Sequence, residues 1–421
     1  MLDIKFIREN IDKVKEGCQN KKAKVDIDLL LKLDEKRKEA LISLEGLRAK
    51  KNKATKEIVQ SKTKTEKQKI VSAMKKIDKK EEVLQEKFNK LENDFNDLML
   101  KVPNLPSKEV PLGNDQTGNV VLREVGEKTK FDFKIKDYFE IAKTFDLIDT
   151  ERAAKISGTR FGFIKNEAVF LQFALIKFTL DILIKKGFLP ILPPVMLSPE
   201  MMKGTGHLSE KDSEEKYFIE KDKLYLTGSA EQPLVSMHSG EVFQEKDLPK
   251  RYVGYSTCFR REAGSYGKDT KGIFRVHQFD KIEMFSFCLP EKSEEEHKNL
   301  LSIQEELMGL LKIPYRVVQI CTGDLGFPAA AAYDIEAWLP SENRYRETHT
   351  TFNDTDFQAR RLNIRFRNSK NNRLEIVHAL NGTAFALGRI LIAIIENNQQ
   401  KDGSIKVPEA LWEYLNFKEI R

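Results

Sequence analysis

The sequence is poor in cysteine and histidine, and neither residue type is clustered. Its 421 residues include four cysteines and six histidines, with no CxxC pair and no HExxH motif. Paired cysteines or regularly spaced ligands would be needed for a disulfide framework or a zinc site. We therefore expect neither, and in particular no zinc.

Long apolar runs are also absent. The first ten residues, MLDIKFIREN, contain no apolar signal core, and no apolar stretch approaches the roughly 18–20 residues that span a bilayer. The composition, 40% hydrophobic and 33% charged, is typical of a globular protein. The sequence predicts a cytoplasmic protein without a membrane partner, long enough for two domains.

The formal net charge of +7 is concentrated in one segment. Between Asp34 and Lys90, 18 lysines and arginines stand against 10 acidic residues, a balance of +8, so the rest of the chain is close to neutral. A localised basic surface favours an anionic polymer as partner. The alternative is a basic segment that only keeps the protein soluble.

The basic segment also carries two heptad patterns, which predict two helices that pair along one face. The first consists of Leu30, Leu33, Arg37, Ala40, Leu44, Leu47, Lys51, Ala54 and Ile58. The second consists of Ile70, Met74, Ile77, Glu81, Leu84, Phe88, Leu91, Phe95 and Leu98. Because the polar VQSKTKTEKQK between them is short, we expect an antiparallel coiled-coil hairpin over about 28–99, within an N-terminal domain of residues 1–105. A dimerisation coil is the alternative to a nucleic-acid grip.

After PNLP (103–106), which should end the second helix, the pattern changes. From about residue 115 short strands separated by turns predominate, with helices expected at 166–186 and 382–397 and an edge strand or linker at 187–196. This mixture predicts an α+β domain over 115–421, with an antiparallel sheet flanked by helices.

One charged stretch of this domain, FRREAGSYGKDTKGIFRVHQFDKIE (259–283), has the composition of a nucleotide site. A strand over 272–285 would align Arg275, Phe279 and Glu283 on one face, and Arg260 and Glu262 would share a face upstream. Arginines bind phosphate oxygens and an aromatic ring stacks on a base. The glycine-rich loop AGSYGKDTKG between the strands could close over a ligand. A solvated polar hairpin is the alternative.

Three further stretches carry candidate residues. In RYRETHTTFN (344–353), Glu347 is a candidate magnesium ligand. In NGTAFALGRILIAIIENNQQ (381–400), Arg389 sits among aliphatic residues and needs an anionic or stacked partner, either a nucleotide or an internal salt bridge. In LTGSAEQPL (226–234), Ser229 and Glu231 would project from one face of a strand and could hold an ammonium group, although a turn before Pro233 explains them equally well.

Together these stretches resemble the seryl-tRNA synthetases, a family of class II aminoacyl-tRNA synthetases. The resemblance covers nearly the whole chain. It is carried by the N-terminal arm and, in order, by PNLP, ERAAKISGTRF (151–161), GTGHL (204–208), SAE (229–231), FRREAG (259–264), HQFDKIE (277–283), WLPSENRYRE (338–347), DFQARR (356–361) and NGTAFALGR (381–389). The three class II motifs appear in sequence, the first ending near Pro194.

The resemblance implies an ATP-dependent serine–tRNA ligase, with ATP and Mg²⁺ bound in the second domain. The catalytic residues it implies are Arg260, Arg275 and Arg389. The implied serine site consists of Ser229, Ala230, Glu231, Arg260, Glu283 and Thr383. The implied ATP site consists of Arg260, Arg261, Glu262, Arg275, Phe279, Glu347, Thr348, His349, Thr350 and Arg389, with Glu347 and Thr350 as magnesium ligands.

The resemblance also implies the partners. The basic arm should grip serine tRNA through residues such as Lys50, Lys51, Lys53, Lys75 and Lys76, and the enzyme should be a homodimer in which the first motif contributes to the interface. Selenocysteine tRNA is a second expected substrate by family analogy alone. Against the usual family pattern, Ser229 replaces a common threonine, Arg261 a frequent serine, and ETHTTFN (347–353) a serine-rich run, which leaves the local ATP contacts open.

Two other functions fit parts of the sequence. A related enzyme that loads an amino acid onto a carrier protein would lack the long arm. An RNA-binding paralogue without activity would not need the full set of arginines and acidic residues at the nucleotide site.

Overall fold

The computed structural model describes residues 1–61, 63–208, 213–263, 269 and 271–421. The chain divides into two compact units, which we call the arm (Leu2–Pro103) and the catalytic unit (Asn104–Arg421, together with Met1). No helix in the described part of the chain is long and apolar enough to cross a membrane.

The arm is helical, as the heptads predict. Its helices are α1 Ile4–Glu9, α2 Ile11–Asn20, α3 Ile27–Gln60 and α4 Lys64–Lys101. The Asp26 side chain caps α3 by accepting from the Leu29 amide, and the Thr63 hydroxyl caps α4 by accepting from the Glu66 amide. The predicted antiparallel hairpin is confirmed.

The predicted seam is the least exposed stripe of both long helices. Leu30, Ala40 and Leu44 are buried on α3, and Phe95 is buried on α4, whereas the remaining heptad positions are half-buried. Ion pairs link the two helices along the seam, among them Arg37 with Glu92 at 3.1 Å and Lys51 with Asp78 at 2.6 Å. The heptad period thus determined which residues meet.

The catalytic unit is a mixed unit built around one large sheet. Its helices are α5 Tyr138–Thr144, α6 Thr150–Ser157, α7 Glu167–Lys185, α8 Pro199–Gly204, α9 Glu231–Ser236, α10 Ser293–Leu310, α11 Phe357–Arg361 and α12 Leu387–Asn397. Its strands are β1 Val120–Val125, β2 Ile148–Asp149, β3 Phe163–Ile164, β4 Leu189–Ile191, β5 Met196–Leu197, β6 Phe218–Ile219, β7 Leu224–Leu226, β8 Val242–Gln244, β9 Lys250–Phe259, β10 Gln278–Cys288, β11 Tyr315–Gln319, β12 Ala331–Leu339, β13 Arg344–Asn353, β14 Arg365–Arg367, β15 Leu374–Ile376, β16 His378–Ala386, β17 Ile405–Lys406 and β18 Glu419–Ile420.

Eight of these strands form the main sheet, in the order β1-β11-β12-β13-β16-β10-β9-β4. The neighbours pair antiparallel, except that the edge strand β4 runs parallel to β9. Apolar side chains of α7, α10 and α12 belong to the same core as those of β10, β12 and β16. The α+β class and the antiparallel sheet flanked by helices are confirmed.

Three predicted elements are wrong in their bounds. The strand expected over 272–285 begins only at Gln278, and β9 ends at Phe259, so Arg260, Glu262 and Arg275 lie outside the ladder. The helix expected from residue 382 begins at Leu387, since NGTAFA completes β16. Strand period could not locate these ends because glycine and charged residues interrupt the pattern.

Candidate active site

A cavity of about 610 Å³ opens beside β10, β12, β13 and β16 in the catalytic unit. Most of the predicted site residues line it, although they come from distant parts of the chain. They are Ser229, Glu231, Arg260, Glu262, Arg275, Phe279, Glu347, Thr348, Thr350, Thr383 and Arg389.

Arg260 is held beside Phe279. The Arg260 Nε donates to the Gly228 carbonyl at 3.1 Å, and the guanidinium carbon lies 5.2 Å from the centroid of the Phe279 ring. Backbone and ring contacts with His277 fix this corner, because the Arg260 amide donates to the His277 carbonyl at 2.9 Å. A cation and a ring held together in this way can bind an anion and a flat base.

Glu262 and Arg275 form an ion pair at 2.6 Å, even though neither lies on a strand. Glu262 has a φ of +51°, the left-handed region, which turns the chain after β9. Asp269 is 3.7 Å from the Arg275 Nε. Arg275 also lines the cavity.

Arg389, which the sequence left between a nucleotide and a salt bridge, pairs with Glu347 at 2.8 Å and also donates to the Glu347 carbonyl at 3.0 Å. Its guanidinium carbon lies 4.8 Å from the Phe274 ring, and that of Arg346 lies 3.9 Å from the same ring. Phe274 is therefore in contact with two cations, although its ring also belongs to the apolar core.

Carboxylates concentrate beside Arg389. Desolvation in the cavity raises the pKa of the Glu347 carboxyl, but Arg389, Arg260 and Arg275 outweigh it and leave the pKa below its usual value. Asp334, which faces Thr350 across the β12–β13 ladder, is different. Burial and the nearby Glu347 raise its pKa well above the usual range, and its Oδ1 has no hydrogen-bond partner among the described residues. Asp334 was not among the residues predicted from the sequence.

A second group of buried polar side chains lies deeper in the unit, around Glu283. The Ser229 hydroxyl donates to the Glu283 Oε2 at 3.2 Å, and the Lys281 ammonium pairs with the same carboxylate. Burial raises the pKa of Glu283, and Lys281 opposes that rise. Lys281, two residues before Glu283 on β10, lines the cavity, so strand alternation already contained the signal for it.

Glu231 is ionised by its surroundings. Burial alone would raise its pKa, but the charge of His207 and hydrogen bonds from His207 and Gln358 lower it to about 2. The contacts are 3.0 Å from the His207 Nε2 and 2.7 Å from the Gln358 Nε2. His207 and Gln358 lie in the GTGHL and DFQARR stretches, and spacing within either stretch gave no sign that they meet.

Of the two local structures that the sequence left open around Glu231, a strand or a turn before Pro233, the structure has the turn. Glu231 opens the short helix α9, and its amide donates to the Ser229 hydroxyl at 3.2 Å. Side chains two residues apart converge here because a turn, rather than strand period, orients them. Ala230 between them is fully buried in the apolar cluster behind the site.

Four of the predicted residues do not line the cavity: Ala230, Arg261, Glu283 and His349. Glu283 reaches it only through Ser229 and Lys281. His349 is buried, its ring lies 5.5 Å from the Phe385 ring, and its Nδ1 is 2.8 Å from the Thr348 hydroxyl. Most of the predicted closing loop, residues 264–268 and 270, lies outside the described residues.

The five predicted tRNA-binding lysines of the arm differ in their surroundings. Lys50, Lys53, Lys75 and Lys76 are exposed. Lys51 forms ion pairs across the seam, because its ammonium lies 2.6 Å from Asp78 and 3.3 Å from Glu81. The exposed four are better placed to meet a polyanion.

Comparison with known proteins agrees with this geometry. Residues 216–398 match the family described as the tRNA synthetase class II core domain (G, H, P, S and T). Residues 1–106 match the seryl-tRNA synthetase N-terminal domain. The chain thus has the fold of a class II aminoacyl-tRNA synthetase.

Full-length relatives narrow this class. The serine–tRNA ligases of Thermodesulfovibrio yellowstonii and Thermotoga neapolitana are 43% and 44% identical to the chain, each over 100% of both sequences. A crystal structure of seryl-tRNA synthetase from Pyrococcus horikoshii complexed with ATP has a TM-score of 0.91 and 41% identity, covering 100% of this chain and 99% of that one. The chain belongs to the serine–tRNA ligase family.

Proposed function

We propose that this enzyme activates L-serine with ATP and transfers the seryl group to the 3′-terminal adenosine of serine tRNA. The observation that carries the proposal is one cavity in which Arg260, Arg275, Arg389 and Phe279 lie beside the buried carboxylate Glu231. The related enzymes are named serine–tRNA ligases, and a similar structure was solved with ATP.

In the first step the serine carboxylate attacks the α-phosphorus of ATP, the bond to the bridging oxygen breaks, and pyrophosphate leaves. Both reactants are anionic, so cations must hold them together and neutralise the charge that develops. We assign Arg260 to the α-phosphate and the serine carboxylate, and Arg275 to the γ-phosphate. No side-chain nucleophile is required.

We assign the adenine to the space beside Phe279, with Arg389 on its other side and Glu262 near its amino group. The Arg260 guanidinium lies beside the Phe279 ring and the Arg389 guanidinium beside the Phe274 ring, so each is already within contact distance of an aromatic ring. Glu262 and Glu347 keep Arg275 and Arg389 in ion pairs that a bound nucleotide would exchange or share.

The residues present fit a magnesium ion. No group of three or more His, Cys, Asp and Glu side chains in the described part of the chain forms a complete metal cluster. Mg²⁺ needs less, because it usually takes one or two carboxylates and completes its shell with water and phosphate oxygens. Glu347, the Thr350 hydroxyl and the unsatisfied Asp334 Oδ1 are suitable oxygens. The ion would neutralise phosphate charge.

For serine, Glu231 supplies the partner of the ammonium group, since its low pKa keeps it ionised at neutral pH. Ser229, Glu283 and Thr383 surround the hydroxyl in our assignment. A buried site that pairs with a hydroxyl rejects the analogue without one by about 10⁴–10⁵-fold, which would exclude alanine. In the second step a ribose hydroxyl of the terminal adenosine attacks the adenylate carbonyl and AMP leaves.

The arm and a second subunit complete the proposal. The exposed lysines of α3 and α4 suit the phosphates of tRNA, and the matching N-terminal domain argues against the carrier-protein ligase, which we expect to lack the arm. The side chains of Phe170 and Phe173 on α7 are 59% and 63% exposed, and Leu192 is 80% exposed. Such exposed apolar residues favour a homodimer. Because its substrate is tRNA, we place the enzyme in the cytoplasm.

The proposal is tested by ATP–pyrophosphate exchange with each of the twenty amino acids, followed by charging of total tRNA. We expect exchange with serine alone, and serylation of serine tRNA. Exchange driven better by another amino acid would contradict the substrate, and exchange without any charging of tRNA would favour a different acceptor. Sedimentation of the purified protein tests the dimer, which Phe173→Glu should dissociate.

A further inference from the structure

Strand β13 carries Glu347 and Thr350, which we assign to the magnesium-ATP site, and β16 carries Thr383, which we assign to the serine site. The two strands separate at the cavity. Strands β13 and β16 pair only through Thr351–Gly382, Phe352–Asn381 and Asn353–Leu380. The next residue on each strand is Thr350 on β13 and Thr383 on β16, and both line the cavity. The ladder therefore ends within the wall of the cavity, which the paired residues Phe352 and Asn381 also line.

Because the two strands separate here, the Thr350 carbonyl is not paired with β16, and the Thr383 carbonyl is not paired with β13. Gln304 of α10 reaches both from the helix that covers the sheet. Its Nε2 donates to the Thr383 carbonyl at 2.8 Å and to the Thr350 carbonyl at 3.1 Å. The side chain is fully buried, and its Oε1 has no hydrogen-bond partner among the described residues.

The position is shaped for an amide with two hydrogen atoms. A Cβ added at Gly382, at the end of the ladder, would come 3.3 Å from the Gln304 Nε2, so glycine leaves the room that the amide uses. A buried carbonyl without a donor is costly, and one carboxamide nitrogen satisfies two of them at once. An apolar side chain of the same length would satisfy neither.

We propose that Gln304 is a positioning residue that ties the ATP-binding strand to the serine-binding strand. By fixing the backbone of Thr350 and Thr383 relative to each other, it sets the distance between the magnesium-ATP site and the serine site. The inference rests on the proposed function, since it concerns how the two substrates are aligned. Gln304 is not among the residues that line the cavity, so it acts through the two carbonyls that it holds.

The test compares Gln304→Met, which keeps the length of the side chain and removes both donors, with Leu307→Ala one turn away on the same helix. Leu307 is fully buried in the core and serves as a control for lost stability. KM and kcat for pyrophosphate exchange are measured for serine at saturating ATP and for ATP at saturating serine, together with the urea midpoint. Gln304→Glu, of the same shape but with at most one donor proton, is the second variant in case Met prevents folding.

We expect Gln304→Met to lower kcat/KM about 5- to 30-fold for serine and for ATP alike, the range for buried hydrogen bonds lost. Leu307→Ala should lower the urea midpoint at least as much and leave both KM values within about twofold. The proposal is overturned if Gln304→Met leaves kcat/KM unchanged for both substrates, if it lowers kcat/KM for one substrate alone, or if Leu307→Ala reproduces its kinetics. Absence of serine-dependent exchange in the unmodified enzyme would instead refute the proposed function.

Discussion

The arm and the catalytic unit use charged residues in opposite ways. In the arm most lysines lie on the surface, and the ion pairs of Arg48 and Lys51 are partly exposed along an apolar seam. In the catalytic unit carboxylates and amides such as Glu231, Glu283 and Gln304 are buried, and each is held by specific partners. Exposed charges act collectively and are screened by salt, whereas buried groups act individually. Deletions should therefore reveal what the arm does, and single substitutions what the catalytic unit does.

The largest effect is expected from shortening the arm. Removing residues 48–81 and joining Leu47 to Glu82 through a short Gly-Ser turn keeps the base of the hairpin, including the Arg37–Glu92 ion pair. Serine-dependent exchange should stay within about twofold, whereas charging of tRNA should fall by at least about 10³-fold, the difference between specific and non-specific nucleic-acid binding. Charging at the full rate would show that the arm is not the tRNA grip.

The next effect is expected from one catalytic-unit side chain. Arg260→Ala should reduce exchange by about 10²–10³-fold, as for loss of a cation or donor that stabilises transition-state charge. The exposed Arg373, on the turn between β14 and β15, provides the matched control, and Arg373→Ala should leave exchange unchanged. A normal exchange rate in a folded Arg260→Ala enzyme would reject the role assigned to this arginine.

These two regions also differ in how far the sequence predicted them. Heptad spacing identified the seam of the arm, because a helix pair depends on a period that the sequence displays directly. Family motifs identified most of the cavity residues, but not their neighbours. Asp334, His207 and Gln358 become part of the site only through cross-strand or loop contacts between residues far apart in the chain.

Gln304 shows most clearly why the remainder could not be predicted. In the sequence it is one of several uncharged polar residues on a helix that also carries charged and apolar side chains. Its role depends on where a strand ladder ends and on which carbonyls lack a strand partner, and that is a property of the sheet register. The bounds of β10 and β16, which were predicted wrongly, are part of the same register.

A third prediction concerns acid stability. All six histidines lie in the catalytic unit. Burial lowers the pKa of His297 to about 4 and that of His349 to about 3. Both groups take up protons at a higher pH in the unfolded chain, whose histidine pKa is about 6.5. Unfolding free energy should therefore fall as pH drops from about 6.5 towards 4, by about 3 kcal/mol for His297.

This pH dependence can be measured in the catalytic unit alone, because Trp338 and Trp412, the two tryptophans of the chain, both lie there. Urea unfolding followed by tryptophan fluorescence should show a lower midpoint at pH 4.5 than at pH 7, and His297→Gln should reduce the difference. The arm contains no histidine. A pH-independent fluorescence midpoint would mean that these imidazoles are not buried in the neutral form.

The smallest effect separates the two kinds of lysine within the arm. Replacing exposed Lys53 by Gln should weaken tRNA binding by a few-fold and lower the slope of log K against log salt by about 0.7–0.9, because one phosphate contact is lost. Lys51→Gln removes the same charge from a residue that is paired with Asp78 and Glu81. It should lower the thermal stability of the hairpin and leave the salt slope nearly unchanged. Equal slopes for the two variants would show that the ion pairs of Lys51 open when tRNA binds. The charged contacts of the arm would then rearrange on binding, unlike the buried contacts that we assign to the catalytic unit.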